Sequence, residues 1–167
     1  MPFRKPHQTA DPTESNKWND AKTECMIQPK GLNIIWGNDP RYWKITNDCA
    51  ELIQVSWLEV SGKVKVEKGN TYIVKFMVEV KQDGFGWGST DVLVMAKVGK
   101  KGLYKYEAVK LDCGKKKDPI PEVKDKLEIE VKSDETDLEL HFGLYEVWSG
   151  KWKGGLKIYN AEVVKKS

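Results

Sequence analysis

The stretch Tyr72-Ile73-Val74-Lys75-Phe76-Met77-Val78-Glu79-Val80 puts Tyr72, Val74, Phe76, Val78 and Val80 on one face of an alternating run. Successive strand residues point to opposite faces, so this pattern asks for a sheet with one buried side and excludes an amphipathic helix. Leu127, Ile129 and Val131 alternate with charged residues in the same way, as do Leu138, Leu140, Phe142 and Leu144. Ile53, Val55 and Trp57 give a shorter row, expected to point inward, within residues 51–60. Glycine punctuates these runs at Ser61-Gly62, Lys68-Gly69-Asn70, Gly84 to Gly88, Lys101-Gly102, Ser149-Gly150 and Gly154-Gly155. Short apolar-faced strands between such turns predict an all-β, antiparallel sandwich of jelly-roll type.

At 167 residues the chain is one domain plus a tail, long enough to bury about two-thirds of its unfolded surface. Residues 1–20 are polar and Pro-containing and are expected to form a flexible tail, leaving 21–167 as the domain. Only residues 16–25 suggest a short helix, and Asp118-Pro119-Ile120-Pro121 is expected to be a loop, because proline offers no ladder N–H. No stretch approaches the roughly 18 apolar residues of a membrane helix. The basic start of the chain is followed by no apolar h-region, so a cytoplasmic rather than secreted protein is expected. Three cysteines, Cys25, Cys49 and Cys113, are too few and too widely spaced for a disulfide framework or a zinc site.

Catalytic chemistry has little material. His7 lies in the tail and His141 on the outward face of a strand, neither with a spaced partner for a metal or a triad. Glu128 and Glu130 form the solvated face of a strand rather than a glycosidase pair. The Gly84–Gly88 segment lacks the Lys-Ser/Thr and the helix of a phosphate loop. It is better a hairpin that returns one of Phe85 and Trp87 to the core and offers the other to solvent. No enzyme activity, cofactor or metal is expected.

Aromatic turns are the chemistry that remains. Trp36 and Trp43 flank Asn38, Asp39, Arg41 and Tyr42, with a turn at Asp39-Pro40. Near the C-terminus Tyr145, Glu146, Trp148 and Trp152 surround Ser149-Gly150. An indole beside hydrogen-bonding groups either plugs a core or receives the apolar face of a pyranose. Glu139 and Glu146 are seven positions apart and would face opposite ways on an unbroken strand; a bulge near Gly143 could bring them together.

Residues 35–43, 50–62, 71–80 and 138–163 resemble the plant phloem-protein-two lectin family (tobacco-agglutinin-like), most closely its cucurbit phloem lectins. The similarity runs from Gly31 to Val164. It implies a jelly-roll-like sandwich without catalysis that binds N-acetylglucosamine oligomers, such as chitooligosaccharides and the N-glycan cores of glycoproteins. By the same resemblance Trp36, Trp43, Glu139 and Glu146 are the carbohydrate-binding residues, with Trp148 and Trp87 as further stacking candidates. A homodimer in phloem sap, serving defence or wound response, is the implied setting. Two other functions stay open. Lys115-Lys116-Lys117 could contact RNA phosphates, although a net charge of +3 argues little for nucleic acid. Cys25 or another thiol could cross-link a structural filament. If the lectin expectation holds, Trp43→Ala should cost sugar binding and spare the fold, and Trp57→Ala should do the reverse.

Overall fold

A computed structural model of the chain describes residues 6–122 and 126–166; the first five residues of the expected tail lie outside them. Twelve strands are described. In chain order they are β1 (Glu24–Ile27), β2 (Asn33–Ile34), β3 (Trp43–Ile45), β4 (Ala50–Leu52), β5 (Leu58–Lys65) and β6 (Thr71–Phe85). There follow β7 (Asp91–Val98), β8 (Lys105–Lys110), β9 (Asp118–Ile120), β10 (Glu128–Glu130), β11 (Glu139–Glu146) and β12 (Gly154–Lys165). One sheet runs β10-β6-β12-β4-β3, with β9 on β6 and β1 on β12; the other runs β2-β5-β11-β7-β8. Every strand pair in both sheets is antiparallel. The β-sandwich expected from period two is the observed architecture.

The alternating runs form its core. Tyr72, Val74, Phe76, Val78 and Val80 of β6 are buried, as are Leu140, Phe142 and Leu144 of β11, and the Phe76 and Phe142 rings meet at 5.9 Å. Burial of each such side chain contributes about 1.5–3 kcal/mol. Gly62 is not a turn. It lies inside β5, where a Cβ would stand 2.7 Å from the Phe142 ring, so glycine makes room for that phenyl group.

Several local expectations change. The row Ile53-Val55-Trp57 is not one strand: β4 ends at Leu52 in one sheet and β5 starts at Leu58 in the other. In this crossing Val55 is buried, whereas Ile53 and Trp57 are exposed. The short helix is α1 (Pro12–Ser15), capped by the Asp11 carboxylate on the Thr13 amide, and it precedes the segment expected to be helical. Asp118-Pro119-Ile120 forms the edge strand β9 on β6, a position where a missing ladder N–H is tolerated.

From Gln8 onward the expected tail is bonded to the domain. Gln8 pairs with Ile34, its side-chain amide donates to the Pro29 and Leu32 carbonyls at 2.9 Å, and Trp18 pairs with Cys25. No helix among the described residues is long and apolar enough to cross a membrane.

Candidate functional site

The crossing from β4 to β5, the loop before β3 and the loop before β12 meet at one end of the sandwich. There Trp36, Tyr42, Val55, Ser56, Trp57 and Trp152 line a cleft of about 160 Å³. Trp36 and Tyr42 meet edge to face at 5.5 Å, and Tyr42 and Trp152 lie 6.5 Å apart with planes inclined by 33°. Trp36, Trp57 and Trp152 are between 37% and 52% exposed, so their ring surfaces are accessible.

Local chemistry holds these rings in place. Asp39 closes the turn after Trp36: its carbonyl accepts the amides of Tyr42 and Trp43 at 3.0 and 3.1 Å. Its carboxylate takes Arg41 in a forked pair of 3.0 and 2.7 Å, which holds the Asp39 carboxyl below the usual range. The Arg41 guanidinium then lies 5.0 Å from the Tyr42 ring centre. Trp36 adopts φ of 65°, uncommon for a bulky residue. Its amide donates to His7 Nδ1 at 2.9 Å, and the two rings meet edge on at 5.2 Å. The Trp57 indole N–H donates to the Glu59 carboxylate at 3.0 Å.

Beneath the cleft, Val55 and Lys153 exchange backbone hydrogen bonds of 3.0 and 2.9 Å. The Lys153 side chain is 0% exposed and donates to Glu146 Oε1 at 2.9 Å and to the Ser56 carbonyl at 2.8 Å. Glu146 is itself buried and accepts from the Ser149 hydroxyl and from the amides of Trp148 and Ser149. Burial pushes its carboxyl up, but the bonds from Ser149 and Lys153 outweigh burial and hold it below the ordinary carboxylate range.

The six residues expected to bind sugar separate on this framework. Trp36 is in the cleft. Trp43 opens β3, pairs with Leu52, and is 2% exposed at the margin of a neighbouring depression of about 540 Å³. Trp87 folds back into the core with its indole N–H on the Gly154 carbonyl at 2.9 Å, while Phe85 reaches solvent. Burial leaves neither Trp43 nor Trp87 a ring face for stacking. Trp148 is 62% exposed on the loop after β11.

Glu139 and Glu146 are not brought together. β11 pairs without a register break against both β5 and β7, so the two carboxylates keep opposite faces. Gly143 marks no bulge; a Cβ there would meet the Tyr145 ring at 2.5 Å. Glu139 pairs instead with Lys63 at 3.5 Å on the outer face.

Tyr42, Trp57 and Trp152 are the cleft residues that the sequence reading did not select. A signal for Trp57 existed. Ile53, Val55 and Trp57 have one parity, whereas Leu52, Leu58 and Val60 have the other, and no single strand satisfies both.

The alternative functions also meet the structure. Lys115 is already paired with Glu122 at 2.9 Å and with Asp118 at 3.9 Å, which neutralises part of the basic run. Cys25 is buried, with its thiol pushed up to about 11 by burial, so it is not the accessible thiol a cross-link needs. Cys113 is exposed.

The family model described as Phloem protein 2 matches residues 22–164. The chain belongs to the Phloem protein 2 family. Within that family, Phloem protein 2-like A9 of Arabidopsis thaliana is 44% identical over 154 residues, covering 83% of this chain and 85% of the relative. A protein of Luffa acutangula named simply "Lectin" is 32% identical over 84 residues, covering 42% of this chain and 40% of its own length. Among solved structures, the chain described as "CBM4 structure and function" superposes with a TM-score of 0.49 at 8% identity, covering 95% of this chain and 100% of that one.

Proposed function

We propose that this Phloem protein 2 family member is a lectin of phloem sap that binds N-acetylglucosamine oligomers in the cleft of Trp36, Tyr42, Trp57 and Trp152, with no catalytic step. The observation behind this reading is the set of four aromatic rings around one small cleft, three of them exposed indoles. A 2-acetamido pyranose matches it: the C–H face stacks on an indole, and the Glu59 carboxylate bonded to Trp57 is a candidate acceptor for its hydroxyls. Stacking buries apolar area worth roughly 1–2 kcal/mol. A charge-assisted hydrogen bond adds about 1.5–3 kcal/mol before ordering costs. The name of the Luffa acutangula relative agrees with a sugar ligand.

A cleft of about 160 Å³ holds one sugar ring, not a chain. One ring leaves the affinity near millimolar, so further sugar units must lie along the exposed rims at Trp36 and Trp152, and a homodimer would add avidity. Calorimetry should therefore show N,N′,N″-triacetylchitotriose binding at least about tenfold more tightly than N-acetylglucosamine. Equal affinity for trimer and monomer would contradict an extended site. A glycan array on which other sugars outcompete the chitooligosaccharides would contradict the proposed ligand. In a defence or wound response, such a protein would act by capturing glycans rather than by processing them.

A further inference from the structure

Three segments that bring indoles to this end of the fold are tied to one buried ion pair. Lys153 follows Trp152, and its ammonium holds the Ser56 carbonyl, next to Trp57. Its backbone is bridged to Val55 in both directions. The Glu146 carboxylate fixes the amides of Trp148 and Ser149 at 3.2 and 3.3 Å. With the Ser149 hydroxyl and the Lys153 ammonium on its other oxygen, the carboxylate has four donors for about four lone-pair sites. Neither side chain reaches solvent: Lys153 is 0% and Glu146 1% exposed. A sugar hydroxyl has no lone pair there to use without displacing one of these donors.

Burying two charges is costly, and a well-packed apolar pair of the same volume is often as stable or more so. The pair is therefore poorly explained by stability alone. What it does supply is directional: three loop segments fixed to one point, each adjoining an indole.

We propose that Glu146 and Lys153 are positioning residues of the sugar site, setting the placement of Trp57, Trp152 and Trp148 without touching the ligand. This rests on the cleft being the sugar site. It places Glu146 in a supporting role, in contrast to the direct contact that resemblance implies.

The test compares Glu146→Gln, Lys153→Met and the apolar double variant Glu146→Leu/Lys153→Met. Each is measured for chitotriose affinity by calorimetry, for melting temperature, and for the near-ultraviolet circular dichroism of the ligand-free protein well below its melt. Lys153 cannot contact a sugar, yet Lys153→Met should weaken binding by about tenfold, as Glu146→Gln does, the size of one lost indole contact. Both single variants should alter the aromatic dichroism before any ligand is added. The double variant should regain melting temperature without regaining affinity, and it answers the question if a single variant fails to fold.

The inference is overturned if Lys153→Met binds like the wild type while Glu146→Gln binds weakly with an unchanged spectrum, because Glu146 is then a direct contact. A double variant that folds and binds like the wild type overturns it too. If wild-type protein binds no chitooligosaccharide, the proposed ligand fails, and the ligand-free spectra decide the brace: unchanged spectra in all three variants reject it.

Discussion

Trp57→Ala should bind chitotriose about tenfold or more weakly than the wild type and still melt within about 2 °C of it. Trp57 is 48% exposed, and truncating it removes a wall of the cleft without opening a void in the core. Its indole N–H bond to Glu59 is an exposed one, whose loss has little effect on stability. Calorimetry and a thermal melt on the same preparation check both halves. A drop in melting temperature comparable to that of a core truncation would mean that the ring is a structural plug.

Trp43→Ala should show the opposite balance. The indole is 2% exposed, pairs across β3 and β4, and belongs to the hydrophobic core. Removing it leaves a cavity costing about 3–5 kcal/mol. In a domain of this size that lowers the melting temperature by roughly 6–20 °C. Denaturant unfolding would measure it directly. Loss of sugar binding with wild-type stability would return Trp43 to the site and refute its role as a core residue.

These two expectations reverse the roles that sequence assigned, and the cause is specific. Period-two alternation is local, so β6 and β11 could be read residue by residue, and their buried faces followed. The crossing at residues 53–57 is not local. Its two hydrophobic parities belong to strands in different sheets, and only the tertiary fold shows that Trp57 falls in the gap between them. Trp43 was misplaced for a related reason. The Asp39 carbonyl ends the turn at Trp43, so β3 begins on that residue and sends it inward, leaving Tyr42 for the cleft.

The turn signal at Asp39-Pro40 places Trp36 outside the regular strands, and in the structure its left-handed backbone keeps it off any strand face, at the cleft. Glu146 stands out in the sequence, but its burial does not. Pairing of Glu146 with Lys151 or Lys153 across the turn is readable from the sequence, but only as an exposed contact; nothing there shows that the loop after β11 folds both charges beneath the cleft.

The proposed ligand stacks in the cleft of Trp36, Tyr42, Trp57 and Trp152. Each of the seven tryptophans carries one indole N–H, giving seven separate reporters across the molecule. Chitotriose titrated into ¹⁵N-labelled protein should shift the indole resonances of Trp36, Trp57 and Trp152 together along one saturable curve. Those of the core residues Trp43 and Trp87 and of the distant Trp18 should stay in place. Shifts centred on Trp43 or Trp87, with the three cleft resonances unmoved at saturation, would contradict the account.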